Sequence, residues 1–521
     1  MGIKRYIADA DTTIVNAFKP NLRIRGTGSN MGEADVMEVY SIYGRETTSS
    51  QELSRALVKF PMTGITTDRS AGTIPASGSV SFYLRVFNAK HSKTVPRNMT
   101  MVIQPLSRSW QEGIGLDLEG YRDEVDGNTG ANWISASKGT PWDLVGGDYL
   151  TSAGNTYKQT MTNGLEDIEL DITQLVEQWI DGTYGNYGVG LHLTASQEAY
   201  FSGSQTSWGV VGNASGSVLA NPDGATESYY TKRFFARGTQ FFFKRPVIEA
   251  RWNSSRKDGR GEFYYSSSNA PAADNLNTLY MYNYVRGKLA NIPGIGTGSI
   301  YLSLYSGSSG PTGAKILLHD SKYNVTGGYV TTGIYSASVC TTASYTVSSS
   351  SGYVKSTPLK SLFDVWHNDS GVEYFSGSIK PKTLAANQTV ETPTYYLNIT
   401  NLQDRYRKEQ SARFRLYVRN KFWSPTIYTK ATETVESTNI LSASYKVFRI
   451  LDGLNVVPYG TGSDLHTVLS YDVSGNYFDF DMDLLDPGYS YGFRFAFYDP
   501  AVDSWLEQPY TFKFRVEDYE Y

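Results

Sequence analysis

The segment Ser54–Pro61, SRALVKFP, alternates with period two: Ala56, Val58 and Phe60 fall on one face, Arg55, Leu57 and Lys59 on the other. A chain with that period places successive side chains on opposite faces of a pleated strand and cannot bury the same set as a helix. The pattern recurs at Ser79–Phe87, Thr100–Leu106 and, most cleanly, at Arg413–Arg419, where Phe414, Leu416 and Val418 oppose Arg413, Arg415, Tyr417 and Arg419. Turn residues separate these runs: the 521 residues include 49 Gly and 40 Tyr against only 19 Pro, a mixture that suits short strands and polar turns. The expectation is an all-β chain, too long for one hydrophobic core. One helix interrupts it, over residues 171–182. There Asp171 and Gln174 have capping-box spacing, Ile172, Leu175, Val176 and Trp179 recur at helical spacing, and Gly182 stops the run.

Three domains are expected. The first, 1–252, ends at Arg245-Pro246-Val247-Ile248-Glu249-Ala250, and a Ser/Gly/Arg/Asn-rich stretch from Asn253 to Asp274 reads as a linker. The second, 253–394, is expected to be a β-sandwich, with strands near Leu279–Leu289, Ser299–Tyr305, Gly333–Val339 and Tyr374–Ile379. The third, 395–521, carries Leu485-Asp486-Pro487-Gly488-Tyr489-Ser490-Tyr491, the pattern of a tyrosine corner in immunoglobulin-like and fibronectin-like sandwiches.

Two resemblances add to this reading. The opening Ala10-Asp11-Thr12, the strand SRALVKF, Ser109-Trp110-Gln111-Glu112-Gly113, Asn132-Trp133, the helix DITQLVEQWIDG and Gly188-Val189-Gly190-Leu191 resemble, in this order, the DNRLRE-type domain. That family is a jelly roll related to carbohydrate-binding modules, so the resemblance implies a jelly-roll sandwich over 1–252. The sequence departs from it by insertions near 62–75 and 202–230, and by Arg233–Gly238 where the family has Ser-Arg-Glu. The C-terminal pair of domains is similar to virion structural proteins of marine and cyanobacterial tailed bacteriophages. This similarity runs through Asn455-Val456-Val457-Pro458-Tyr459-Gly460-Thr461-Gly462, His466–Ser474, Gly475-Asn476-Tyr477-Phe478-Asp479 and the ending Gln508–Val516, with Ser411–Lys421 and Trp423–Tyr428 in the same pattern.

Charge and composition exclude several functions. Lys and Arg number 47 against 51 Asp and Glu, so no global field exists to hold nucleic acid or an anionic membrane. No apolar run approaches the ~20 residues of a membrane span. The opening carries neither a signal-peptide core nor a myristoylation motif, and the expectation is a chain made in a host cytoplasm and assembled into a virion. A single cysteine, Cys340, excludes an intrachain disulfide and reads as a buried small hydrophobe. The five histidines, His91, His192, His319, His367 and His466, lie in separate segments without metal-ligand spacing, and no nucleophile elbow or phosphate loop occurs. The chain is therefore expected to be no enzyme and to need no cofactor.

Three groups remain as candidate sites. Asp117, Glu119, Asp123, Glu124 and Asp126 are dense enough to ligate structural Ca²⁺, although the order of an EF-hand loop is missing, and a solvated loop is the plainer reading. Among Trp110, Trp133 and Trp142, the first two are expected in the core and Trp142 is the candidate for stacking on a sugar ring. Arg413, Arg415 and Arg419 project from one side of a strand, with Asp479, Asp481 and Asp483 as an acidic counterpart in the same domain. The two sets either cover one another within a chain or dock one copy on the next. The functional expectation is a structural protein at a phage neck, collar, capsid surface or tail periphery. It would be a homo-oligomer that also contacts other virion proteins; the alternative is a carbohydrate-binding adhesion protein that takes host glycan.

Overall fold

The computed structural model describes residues 2–44, 51–91, 97–116, 130–152, 154–201, 218–319, 322–346, 354–355, 358–384, 394–428 and 437–518. It is an all-β, multidomain chain. In the first domain a four-stranded sheet, ordered Ile3–Ile7, Val247–Arg251, Ser81–Val86, Ile168–Asp171, packs on a larger one. The larger sheet runs Tyr229–Phe235, Val36–Tyr43, Gln51–Lys59, Val189–Leu193, Met99–Pro105, Tyr157–Met161, with Ala10–Val15 also paired to Gln51–Lys59. Ala56, Val58 and Phe60 face Phe82, Leu84 and Ile248 across the gap. The opposite face of the same strand is buried too. Leu53 and Leu57 lie under Trp133, Trp142 and Val145, in a second core built by the long connection after Met99–Pro105.

Two helices, not the single expected one, flank this sandwich among the described residues. The expected helix is α2, Thr173–Ile180, which buries Leu175, Val176 and Trp179 and ends before Gly182 at φ +81°. Its capping box does not form: Asp171 finishes a strand, and its carboxylate accepts from the backbone N–H and hydroxyl of Thr173. The additional helix is α1, Met62–Ser70, which buries only Ile65. Gly and β-branched residues give it poor intrinsic propensity. It is held from outside, by Asp68 on Tyr6 (2.8 Å) and Lys4 (2.6 Å), and by Arg69 on Glu177 of α2 (2.7 Å).

The middle region is one six-stranded antiparallel sheet, ordered Asn277–Tyr282, Ile334–Val339, Val325–Thr331, Ile300–Ser306, Leu362–His367, Glu373–Ile379. Among the described residues its buried face is covered by Phe263, Tyr265, Ile292, Ile316 and Leu318, outside the sheet strands, rather than by a second full sheet. The stretch 253–274 is therefore no free linker: Phe263 and Tyr265 are core residues, and Asp258 N–H donates to Tyr471 O (3.1 Å).

The third domain is a sandwich of two sheets. Tyr395–Ile399, Ser411–Asn420, Gly475–Asp481 and Ser470–Asp472 form one; Arg405–Arg407, Phe512–Glu517, Ser490–Asp499, Ala443–Arg449 and Asn455–Val457 form the other. Arg405–Arg407 pairs parallel to the last strand while all other pairs are antiparallel, the strand order of an immunoglobulin-type sandwich. Its core is aromatic: Tyr445, Phe478, Phe493 and Phe514 stack or meet edge to face. The tyrosine corner is present, with Tyr491 OH donating to Asp486 O and accepting from Asp486 N–H, both at 2.9 Å.

Candidate functional site

Among the described residues, one carboxylate and three arginines are gathered where the first domain meets the third. In the small sheet, Ile248, Ala250, Phe82 and Leu84 point into the sandwich, so Arg5, Glu249, Arg251 and Arg85 must point out. An outer face normally meets water; this one is buried, with Glu249 at 0% exposure, Arg85 at 4% and Arg251 at 4%. Arg5 and Glu249 are directly opposed across the sheet and joined at 2.8 Å, Arg85 reaches Glu249 at 3.0 Å, and Arg251 reaches it at 2.7 Å. Burial alone would raise the Glu249 carboxyl, but the guanidiniums of Arg85, Arg5 and Arg251 outweigh it and hold it far below the usual carboxylate range.

The arginines also cross the domain boundary. Arg5 donates to Leu484 O (3.2 Å) and to Val456 O, and Arg85 donates to Val456 O and Asn455 O, both at 3.3 Å. Those carbonyls belong to the edge strand of the immunoglobulin-type sheet and the turn before its tyrosine corner. Ile3, on the same outer face, joins the hydrophobic core of the third domain. His466 of the third domain is 3% exposed beside this cluster; burial first and the Arg251 charge second push its imidazole down to about 4.

The sequence-predicted sites fall differently. Trp142 has no face for a sugar: it is 0% exposed in the outer core of the first domain, and its indole N–H donates to Asn132 O at 2.8 Å. Trp133 is buried as expected, whereas Trp110 is half-buried and donates to Tyr187 O (2.7 Å). The acidic segment with Asp117, Glu119, Asp123, Glu124 and Asp126 lies outside the described residues. Cys340 is half-buried, not buried, because it follows the last residue of a strand that buries its neighbour Val339.

Of the arginine and aspartate sets, part closes within the chain. Arg413 and Asp479 are opposite residues on paired strands, joined by two hydrogen bonds at 2.7 and 3.0 Å. Arg415 binds Asp472 at 2.7 Å, a partner the sequence reading missed. This corrects the docking alternative for Arg413, Arg415 and Asp479, whose charges are met internally by cross-strand pairing. Arg419 lies over the rings of Tyr396 (5.2 Å) and Trp423 (5.9 Å). Among the described residues, Arg419, Asp481 and Asp483 form no ion pair; Asp481 accepts from Asp483 N–H at 3.2 Å.

A second site, invisible in the sequence, opens on the outer face of the large sheet as a cavity of about 420 Å³. Arg55 forks onto Glu198 at 2.9 and 2.7 Å beneath it, and Tyr149 lies 5.1 Å from the His192 ring. Gly190 makes room for Tyr149, since a Cβ there would sit 2.3 Å from the ring. Burial, then the Arg55 charge, push His192 down to about 4, and burial pushes the Tyr149 phenol up to about 12. Gln104, Thr151, Asp143 and the exposed Leu144 complete the lining. Elsewhere in the first domain Asp11 is buried with one unpartnered oxygen, and burial pushes its carboxyl up to about 7.

Fold and sites together define an all-β multidomain chain with a buried charge cluster at a domain junction. No family model matches it, and no curated protein does. Among solved structures, the titin domains z1z2 in complex with telethonin align over 47% of this chain and 87% of theirs at 12% identity, with a TM-score of 0.12. The trypsin-activated alpha-2-macroglobulin of Escherichia coli aligns over 81% of this chain but 29% of its own at 9% identity, with a TM-score of 0.15. Similarity at that level carries no argument, and the sandwich assignments rest on the strand order alone.

Proposed function

We propose that the chain is a non-enzymatic structural protein of a tailed-bacteriophage particle, working through protein–protein contacts at the neck, collar, capsid surface or tail periphery. The observation that carries this reading is the buried junction. Strongly shifted acids often mark catalytic clefts, but here Glu249 is fully buried among three arginines, two of which, Arg5 and Arg85, also bind backbone carbonyls of another domain. Such an arrangement fixes one sandwich against the next, as a component of a stressed assembly requires. The 40 tyrosines favour the same reading, because tyrosine joins apolar area to a hydroxyl and is enriched at interface cores. Mass spectrometry and immunogold labelling of intact purified particles test it. The chain is expected on the particle in a fixed stoichiometry; its recovery from the lysate only in free form contradicts the proposal.

A second reading is favoured by one observation, the cavity over Tyr149. An aromatic ring beside Gln104, Thr151 and Asp143 presents the mixture of apolar face and hydrogen-bonding groups that suits a neutral saccharide. On this reading the first domain attaches the particle to host glycan, through Tyr149 in place of Trp142. A glycan array probed with the intact chain should then show binding that Tyr149→Ala abolishes; silence of the intact chain removes the reading.

A further inference from the structure

The third domain carries an apolar tip at one end, and at the other end, where it meets the first domain, lies a largely apolar cavity. Beyond the strand Ser411–Asn420, the connection exposes Phe422 (79%), Ile427 (80%) and Tyr428 (82%). Scattered apolar residues on a surface are ordinary, but three such side chains within seven positions are a patch that calls for a cover. The base of the connection is held in place: Lys421 N–H donates to Thr394 O (2.7 Å), Phe422 N–H to Asn420 Oδ1 (2.9 Å) and Trp423 N–H to Asn420 O (3.2 Å). Arg419 and the exposed Lys421 flank it, and neither forms an ion pair among the described residues.

The cavity, of about 480 Å³, lies beside the junction of the first and third domains. Its walls are largely apolar, with Ile3, Phe242, Trp252 and Leu484, and Asp481 and Asp483 stand at its rim. Of the nearby cations, Arg5 is paired with Glu249 and Lys4 with Asp68, while Lys408 and Arg245, outside the lining, lie over the Phe242 ring. Among the charged residues that line the cavity, the charges left without an ion pair among the described residues are the negative ones of Asp481 and Asp483. Strand register separates the two features, since Asp481 pairs with Ser411 and the tip follows Asn420, nine residues and about 30 Å further along. A chain cannot reach its own cavity with its own tip.

We propose that the tip Phe422–Tyr428 of one copy docks in the junction cavity of a second copy, with Lys421 and Arg419 facing Asp481 and Asp483. The inference rests on the structural reading of the chain and names its partner as the chain itself. The aromatic and aliphatic tip matches an apolar cavity, and the charges left over at the two ends are opposite. Because different surfaces meet, the contact is head-to-tail and does not stop at a dimer. Each aromatic side chain buries roughly 150–250 Å², so the patch falls short of the ~1,000 Å² of a self-sufficient interface. A single contact is accordingly weak, and it gains strength when copies are held side by side on a scaffold.

Sedimentation velocity of the intact chain over a range of concentrations tests this. The wild type should form a series of sizes that keeps growing past two copies. A tip variant, Phe422→Ser with Tyr428→Ser, and a cavity variant, Asp483→Lys, should each associate at least tenfold more weakly. Thr73→Trp, which fills the cavity from its exposed rim, repeats the cavity test with a substitution that leaves the aspartates alone. The mixture decides: tip and cavity variants each keep one intact surface, so together they should form species of two chains and no larger. A wild type that stays monomeric, a tip variant that assembles like wild type, or a mixture without dimers would each overturn the proposal. Particle incorporation is read separately, so a monomeric chain still present on particles would sink the docking and leave the structural function standing.

Discussion

Glu249 with its arginines and Asp479 with Arg413 both set a carboxylate against arginine on neighbouring β-strands, yet they do different work. Around Glu249 the side chains are largely withdrawn from water, and Arg5 and Arg85 spend further donors on backbone carbonyls of another domain. Around Asp479 both partners keep 42% of their side-chain surface exposed, and the pair bridges two strands already joined by backbone hydrogen bonds. In water an ion pair gains little over its two hydrated ions, whereas in a dry junction one missing partner leaves a charge with no compensation. The contrast shows that burial, not residue identity, decides which charges hold this molecule together.

The largest effect should come from Glu249→Gln, which removes the carboxylate shared by Arg5, Arg85 and Arg251 and leaves only the partly exposed Glu169, 2.7 Å from Arg251, to answer them. A loss of about 3–5 kcal/mol is expected in chemical denaturation, and a loss within the range of a surface pair would break the contrast. Trp142→Ala extends it to an uncharged group. Deleting a fully buried indole should cost about 3–5 kcal/mol, seen as a lower Tm, whereas a stable variant with altered glycan binding would restore Trp142 as a ligand contact.

His466 sharpens the comparison through pH. Its folded imidazole titrates at about 4, below its ordinary 6.5, so the unfolded chain binds more protons between those values. Stability contributed by the neutral ring is whole above pH 6.5 and declines as pH falls towards 4, by on the order of 3 kcal/mol. His192 adds a slope of the same sign and Asp11 one of the opposite sign, so the quantity to follow is the difference between wild type and His466→Gln. That difference should appear only below about pH 6.5. The smallest effect belongs to Arg413→Ala, at about 0–1 kcal/mol and shrinking further in salt; a larger, salt-insensitive loss would place that pair with the buried class.

Strand periodicity made Ser411–Asn420 readable in advance, and α2 was readable because four apolar residues recur at helical spacing. Helix α1 was not, since its sequence favours no helix and its support comes from Tyr6, Lys4 and Glu177 elsewhere in the fold. The junction escaped notice for a related reason. Arg5, Arg85 and Glu249 are scattered across the chain, and each sits at an alternating position that in a two-layer sandwich faces solvent; only the docking of another domain turns that face into an interior. One signal was available: apolar Ile3 and Ile7 share the outward face with Arg5, which a strand facing water has no reason to provide. Trp142 was misplaced because one alternating strand was credited with a single buried face, whereas Leu53 and Leu57 bury the other.

The central claim is that the Glu249 cluster joins two domains rather than serving the first alone. Hydrogen exchange on the intact chain, wild type against Glu249→Gln, tests it most directly by comparing amides of Val247–Arg251 with those of Asn455–Val457. The account predicts that the substitution speeds exchange in both strands, including the one more than 200 positions away in sequence. Faster exchange confined to the first domain, with Asn455–Val457 protected as in wild type, would contradict it.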